Sequence, residues 1–273
     1  MPELPEVEIV KRQLSSSILN NPIKKIITSK LKLHGKDIPD LSLIIGQKFL
    51  NIYRRNKYLI LETEKNYLIV HLGMTGQLIQ SSNLPENTKH IHMIIYFSNL
   101  ILYYKDVRRF GKIELFDKNK FPNYLDIPFI KTLGIEPLDK AFTIEVLKEL
   151  IKNSSSNSKK FIMDGNKICG IGNIYANEIL FLSNINPESL IKNITRKQEK
   201  LLFHNIKTVL QQAIDLGGST ISDFIHLNGN KGSMQEHYYV YGREGEPCKK
   251  CSNTIKKISQ NGRSTFFCPH CQK

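Results

Sequence analysis

From Ile23 to about Phe116 the apolar residues fall in short β-branched and aromatic runs: KKIITSK, KFLNIYRRNKYLILET, NYLIVHL, HIHMIIYF, LILYYKD and KIELF. Turn signals (EKN, GMTG, SNL) separate these runs, so the stretch reads as an antiparallel sandwich or barrel. Near Thr143 the period changes. Ile144, Leu147 and Ile151 share a helical face, and a longer helix from Thr195 puts Leu202, Ile206, Val209, Ala213 and Ile214 on one stripe, with Thr195 and Gln198 as its capping box. A further helix precedes the strands. It runs from Pro5 to Ile18, with Glu6 and Glu8 at its positive end and Val7, Val10, Leu14 and Ile18 on one face. The fold class is α+β. Its expected order is a leading helix, an antiparallel sandwich or barrel, a helical second half and a small cysteine-rich tail.

That last segment is too short to bury a core, and it holds four of the five cysteines, in CKKC and CPHC. Cys248, Cys251, Cys268 and Cys271, in two close pairs flanking a β-like segment, suit one structural Zn2+ held by four thiolates. Disulfides are the competing reading. The chain shows no signal peptide and no long uncharged apolar run, so a reducing, intracellular setting without a membrane is expected, and zinc is favoured. Cys169 reads as a buried thiol and His270 as a bystander.

Lys and Arg total 39 against 25 Asp and Glu, a formal charge of +14. From Cys248 onward there are lysines and Arg263 but no acid, which favours contact between the ribbon and a polyanion such as nucleic acid. GIGNIYANE sets two glycines and Asn173 before a helix, either an ordinary junction or a phosphate-binding helix start. DVRRFGK places Arg108, Arg109 and Phe110 on a turn. Phe110 is there either a buried anchor or a wedge that enters a base stack. Met74 in HLGMTG faces the same choice between core plug and wedge.

Taken in order, PELPEVE, RRNKYL, HLGMTG, RRFG, GIGNIYANE, VYGREGEPC and GRSTFFCPHCQ resemble the bacterial formamidopyrimidine-DNA glycosylases from Pro2 to the last cysteine pair. The resemblance implies an N-terminal antiparallel β-sandwich with a leading helix over 1–130, an α-helical helix-two-turn-helix domain over 131–235 and a β-hairpin zinc ribbon over 236–273, in a bacterial cytoplasmic protein. It also implies excision of oxidised purines from double-stranded DNA, followed by cleavage at the abasic site, by a protein acting as a monomer. On this reading Pro2, freed of Met1, is the nucleophile, Glu3 the acid that protonates the opening sugar, and Glu6 a residue that holds the site. Lys57 and Arg263 assist elimination and grip phosphate. Met74, Arg108 and Phe110 fill the gap left by the flipped nucleotide, His90, Lys159 and Asn173 contact the DNA backbone, and Ser219 to Gln235 form a mobile loop over the extruded base.

Four positions depart from the family pattern. Asn56 stands for a small Gly or Ala, Ser154 for a basic DNA contact, Ser252 for a glycine and Met234 for a Phe. Two rival readings remain: an endonuclease VIII-like enzyme of the same fold that prefers oxidised pyrimidines, and a protein that binds damaged DNA without chemistry. PELPEVE and the complete Met74, Arg108 and Phe110 set argue against the first. The second needs neither Pro2 nor Glu3.

Overall fold

The leading helix, α1 (Leu4–Ser17), buries the face that its spacing defines: Val7, Val10, Leu14 and Ile18 are all at most 1% exposed. Burial of that size contributes about 1.5–3 kcal/mol for each large side chain, which anchors the chain start against the sandwich beneath it. The structure is a computed structural model describing residues 2–220, 227, 229 and 231–273. It divides into two units, Met1–Lys131 with Leu216–Ser233, and Thr132–Asp215 with Met234–Lys273.

The first unit contains β1 (Lys25–Thr28), β2 (Asn51–Arg55), β3 (Tyr58–Glu62), β4 (Asn66–His71), β5 (Gln77–Ser81), β6 (Ile91–Tyr96), β7 (Ile101–Lys105) and β8 (Lys112–Asp117). They form two four-stranded antiparallel sheets, ordered β1-β6-β7-β5 and β2-β3-β4-β8. The two-residue period of the strands is visible in the core. Leu59 and Leu61, Leu68 and Val70, Met93 and Ile95, and Leu102 and Tyr104 all enter one cluster with the apolar face of α1. One irregularity interrupts the ladder, a bulge at His92 between the Ile91 and Met93 pairings. A short helix, α2 (Pro128–Lys131), closes this part of the unit.

Leu216–Ser233 belongs with the sandwich, whereas the sequence placed it in the helical domain. The reason is packing: Leu227 is 3% exposed in the sandwich core, and its N–H donates to Gln13 Oε1 at 3.0 Å.

The second unit contains α3 (Ile144–Lys152), α4 (Ser158–Ile162), α5 (Asn173–Leu182), α6 (Arg196–Asp215) and a hairpin of β9 (Lys256–Gln260) and β10 (Arg263–Phe267). Thr195 and Gln198 cap α6 reciprocally: each side-chain oxygen accepts the other's backbone N–H, at 2.9 and 3.2 Å. The hairpin turns at Asn261-Gly262, both in left-handed backbone (φ 51° and 70°), a pairing that matches the right-handed twist of the strands. This ribbon does not stand as a separate unit. Phe266 N–H donates to Asn177 Oδ1 at 2.7 Å, and Phe181 of α5 joins Val240, Ile255, Phe266, Cys248 and Cys268 in one buried cluster.

Candidate active site and nucleic-acid interface

At the chain start, Glu3 occupies the N-cap of α1 and Glu6 its third position, and the two close a capping box. Glu3 N–H donates to Glu6 Oε2 at 2.8 Å, while Glu6 Oε1 accepts the N–H of Ser219 at 2.8 Å. Both carboxylates are 1% exposed, and Pro2 is buried beside them. An acidic helix start and a built polar site are therefore the same feature. Glu8, one turn on, is a different kind of acid: Lys11, Arg12 and Arg54 surround it at 3.0, 3.1 and 3.0 Å. Burial opposes its charge, but hydrogen bonds and attraction from Lys11 and Arg54 outweigh it and hold the carboxyl below the usual range.

Lys57 sits in the two-residue turn between β2 and β3. Asn56 precedes it with φ 57°, a left-handed conformation that Asn tolerates, so replacing a small residue here leaves the turn intact. His71, at the end of β4, packs against Tyr58 with ring centroids 4.8 Å apart and planes tilted by 47°, and its Nδ1 accepts the N–H of Gly73 at 3.2 Å. Burial first, then the positive charges of Lys57, Lys112 and His34, lower its pKa to about 4. The imidazole is neutral near pH 7. Sequence reasoning missed this residue; the only available signal was a histidine three positions before Met74.

The two turns with a double reading resolve toward exposure. Met74 and Phe110 are each 41% exposed, and the Arg108 guanidinium lies over the Phe110 ring at 4.7 Å. Arg109 has φ 56°, and its carbonyl accepts the N–H of His34 at 2.7 Å. His90 is half-buried, and its carbonyl accepts the N–H of Asp106 at 2.9 Å.

In the second unit, Arg263 is exposed at the first position of β10. Lys159 is 3% exposed, and its ammonium donates to Ser264 O at 2.9 Å and Thr265 Oγ1 at 2.6 Å, which ties α4 to the ribbon. Asn173 begins α5. Its Nδ2 donates to Ser264 O at 3.0 Å, and its buried Oδ1 has no hydrogen-bond partner among the described residues. Ser154 is buried and hydrogen-bonded to Ser156 at 2.9 Å, while Met234 is 3% exposed in a short helical turn. The end of GIGNIYANE carries a residue the sequence reading passed over. Glu178, 1% exposed, accepts the N–H groups of Tyr239, Val240 and Tyr241 at 2.8, 3.0 and 2.8 Å. Residues 221–226, 228 and 230 of the expected mobile loop, and Met1, lie outside the described residues.

The four ribbon cysteines place their sulfurs within 4.8 Å of one another, with Cys248 and Cys271 3.9 Å apart and Cys251 and Cys268 3.5 Å apart. Tetrahedral zinc with bonds of about 2.3 Å needs sulfurs at nearly this spacing. These four residues hold one structural Zn2+. Lys249 and Lys250 lie over the Tyr239 ring, at 5.7 and 6.0 Å, on the same module.

Three family models cover the chain: the formamidopyrimidine-DNA glycosylase N-terminal domain over residues 1–113, the H2TH domain of the same glycosylase over 133–225, and a zinc finger found in FPG and IleRS over 245–273. A sandwich, a helix-two-turn-helix segment and a zinc ribbon in this order define a DNA glycosylase of the repair type. Among curated proteins, the formamidopyrimidine-DNA glycosylases of Histophilus somni (strain 2336) and Wolbachia sp. subsp. Drosophila simulans (strain wRi) are 42% and 41% identical, each match covering 100% of both chains. Of solved structures, the MutM (Fpg) protein of Thermus thermophilus aligns with TM-score 0.88 at 33% identity, covering 99% of this chain and 98% of that one. A Lactococcus lactis Fpg mutant in complex with Fapy-dG-containing DNA aligns with TM-score 0.91 at 35% identity over 100% of both. The chain belongs to the formamidopyrimidine-DNA glycosylase family.

Proposed function

We propose that this enzyme excises oxidised purines, 8-oxoguanine and formamidopyrimidines, from double-stranded DNA and then cuts the strand by β,δ-elimination, with Pro2 as nucleophile. With Met1 removed, Pro2 has a secondary amine whose lone pair attacks the sugar C1′. The base departs with the electrons of its bond to C1′ and takes up a proton. Glu3 delivers a proton to the ring oxygen as the sugar opens, leaving a C1′ iminium on Pro2. Loss of a proton from C2′ into that electron sink expels the 3′ phosphate, and a second elimination expels the 5′ phosphate. Lys57 and Arg263 assist these eliminations and hold phosphate. His90, Asn173 and Lys159 contribute to gripping the backbone, Lys159 by fixing the ribbon strand that carries Arg263. Met74, Arg108 and Phe110 occupy the vacated stack, whose opening costs a few kcal/mol.

The observation that carries this reading is the buried start of the chain. Glu3, adjacent to the buried Pro2 in the chain, and Glu6 are each 1% exposed, and Glu6 spends both oxygens on backbone N–H groups, those of Glu3 and Ser219. Burying such groups is costly unless they are hydrogen-bonded, and here the bonds to Glu6 hold the backbone of the chain start. A protein that only bound bent DNA would need no such arrangement. Borohydride reduction during turnover on a duplex containing 8-oxoguanine should link protein to DNA through Pro2, and retention of Met1 should abolish the adduct. Mass mapping of the adduct to Lys57 would overturn the assignment.

A further inference from the structure

Asp106 is fully buried at the end of β7, and nothing in the proposed chemistry uses it. Its Oδ1 accepts the Thr75 hydroxyl at 2.5 Å, and its Oδ2 accepts the Tyr104 hydroxyl at 3.1 Å and the N–H of Gly111 at 2.8 Å. Its backbone is engaged as well: the N–H donates to His90 O at 2.9 Å, and the carbonyl accepts His92 Nε2 at 3.0 Å. The bulge at His92 turns that ring inward to make this bond. Thr75 completes the pattern, its hydroxyl oxygen accepting the N–H of Arg108 at 3.1 Å while donating to Asp106.

Besides Tyr104 in the core, both segments this carboxylate binds lie next to an exposed DNA-contact residue of the proposed reaction. Thr75 follows Met74, Gly111 follows Phe110, and the Arg108 N–H is tied through Thr75. The surroundings leave little slack: a Cβ on Gly111 would lie 1.7 Å from the Tyr104 hydroxyl, and one on Gly76 would lie 2.4 Å from it. Exposed side chains on separate turns cannot enter a base stack together unless their backbones share a rigid support, and a buried, fully hydrogen-bonded carboxylate is such a support.

We infer that Asp106, acting through Thr75, is the positioning residue that locks the Met74 turn and the Arg108–Phe110 turn into one wedge. This inference rests on the wedge role given above to Met74, Arg108 and Phe110. Its consequence is selective: work that requires an opened stack depends on the clamp, whereas elimination at a ready-made abasic site in single-stranded DNA does not.

The test compares Thr75→Val, which keeps the shape and removes the hydroxyl, with Thr75→Ser, which keeps the hydroxyl. Both are assayed on an 8-oxoguanine duplex and on a single-stranded abasic oligonucleotide, with 2-aminopurine beside the lesion reporting unstacking on binding. Thr75→Val should lower kcat/KM on the duplex by about tenfold or more and weaken the unstacking signal, as expected for loss of a hydrogen bond to a charged group. Its single-strand rate should stay within about twofold of wild type, and Thr75→Ser should restore duplex activity. Asp106→Asn, which turns one acceptor into a donor, should fall on the same side as Thr75→Val. Equal losses on both substrates, or Thr75→Val and Thr75→Ser alike, would overturn the clamp. A wild-type enzyme that excises nothing would instead overturn the functional reading beneath it.

Discussion

The Glu6 carboxylate ties together two segments 213 positions apart, accepting the N–H of Ser219 on one oxygen and that of Glu3 on the other, both at 2.8 Å. Gly218 makes this approach possible. Its φ is +74°, and a Cβ there would sit 3.0 Å from Glu6 Oε1 and 3.2 Å from its Cγ. Gly218→Ala should therefore destabilise the protein by about 1–3 kcal/mol, the range for a strained backbone position. It should also slow borohydride trapping, because the shifted carboxylate no longer holds Glu3. Urea unfolding with an unchanged midpoint would count against this.

Glu3→Gln separates the two steps of the proposed reaction. The amide has nearly the shape of the carboxyl but cannot deliver a proton to the opening sugar. Base excision should fall by about a hundredfold or more, the usual size of a general-acid contribution, while lesion-duplex affinity stays near wild type. Single-turnover assays paired with filter binding would distinguish this from simple loss of binding.

Removing zinc should unfold the ribbon rather than the sandwich. The cysteines share their buried cluster with Phe181, Val240, Ile255 and Phe266, so loss of the metal exposes that cluster and frees Arg263 from its strand. Chelation should release one zinc per chain and abolish duplex binding, while far-ultraviolet circular dichroism retains the sheet signal of the first unit. A fully active, metal-free protein would contradict the assignment.

His71 should impose an acid limit. Its folded pKa of about 4 lies below the ordinary value of 6.5, so between these values the unfolded chain binds the extra proton. The stability linked to neutral His71 is complete above pH 6.5 and is lost as pH falls toward 4. His71→Asn keeps an acceptor for the Gly73 N–H and cannot titrate, so its melting temperature should fall less than that of wild type between pH 6.5 and 4.5. Parallel curves would rule out His71 as the source.

Ser252 holds a left-handed backbone at φ 63°, just after the second cysteine. That conformation costs an L-residue about 1–2 kcal/mol that glycine does not incur. Ser252→Gly should raise the thermal midpoint with zinc bound and leave excision unchanged, as scanning calorimetry can check.

Local pattern was enough to read α1, the strands from Lys25 to Asp117 and the capping of α6, because period two, period three-and-a-half and reciprocal caps are written in neighbouring residues. The zinc ligands were legible for the same reason: two short spacings bring four thiols within reach of one ion. Asn-Gly at 261–262, the turn that aims Arg263, was equally local and passed unread. Other features depend on partners far away in the chain. Whether Phe110 was an anchor or an exposed ring turned on its surroundings, and the answer was an exposed ring with Arg108 over it and Asp106 holding the N–H of the next residue, Gly111. Nothing near Glu178 in sequence showed its role, since the three N–H groups on its oxygens come from some sixty residues later. The same holds for Leu216–Ser233, whose polar composition says nothing of Glu6 or Gln13. The chain order therefore determined the elements and the metal site. Long-range hydrogen bonding and burial, which no window of sequence contains, decided which acids are structural, which aromatics are exposed and where the loop is tied down.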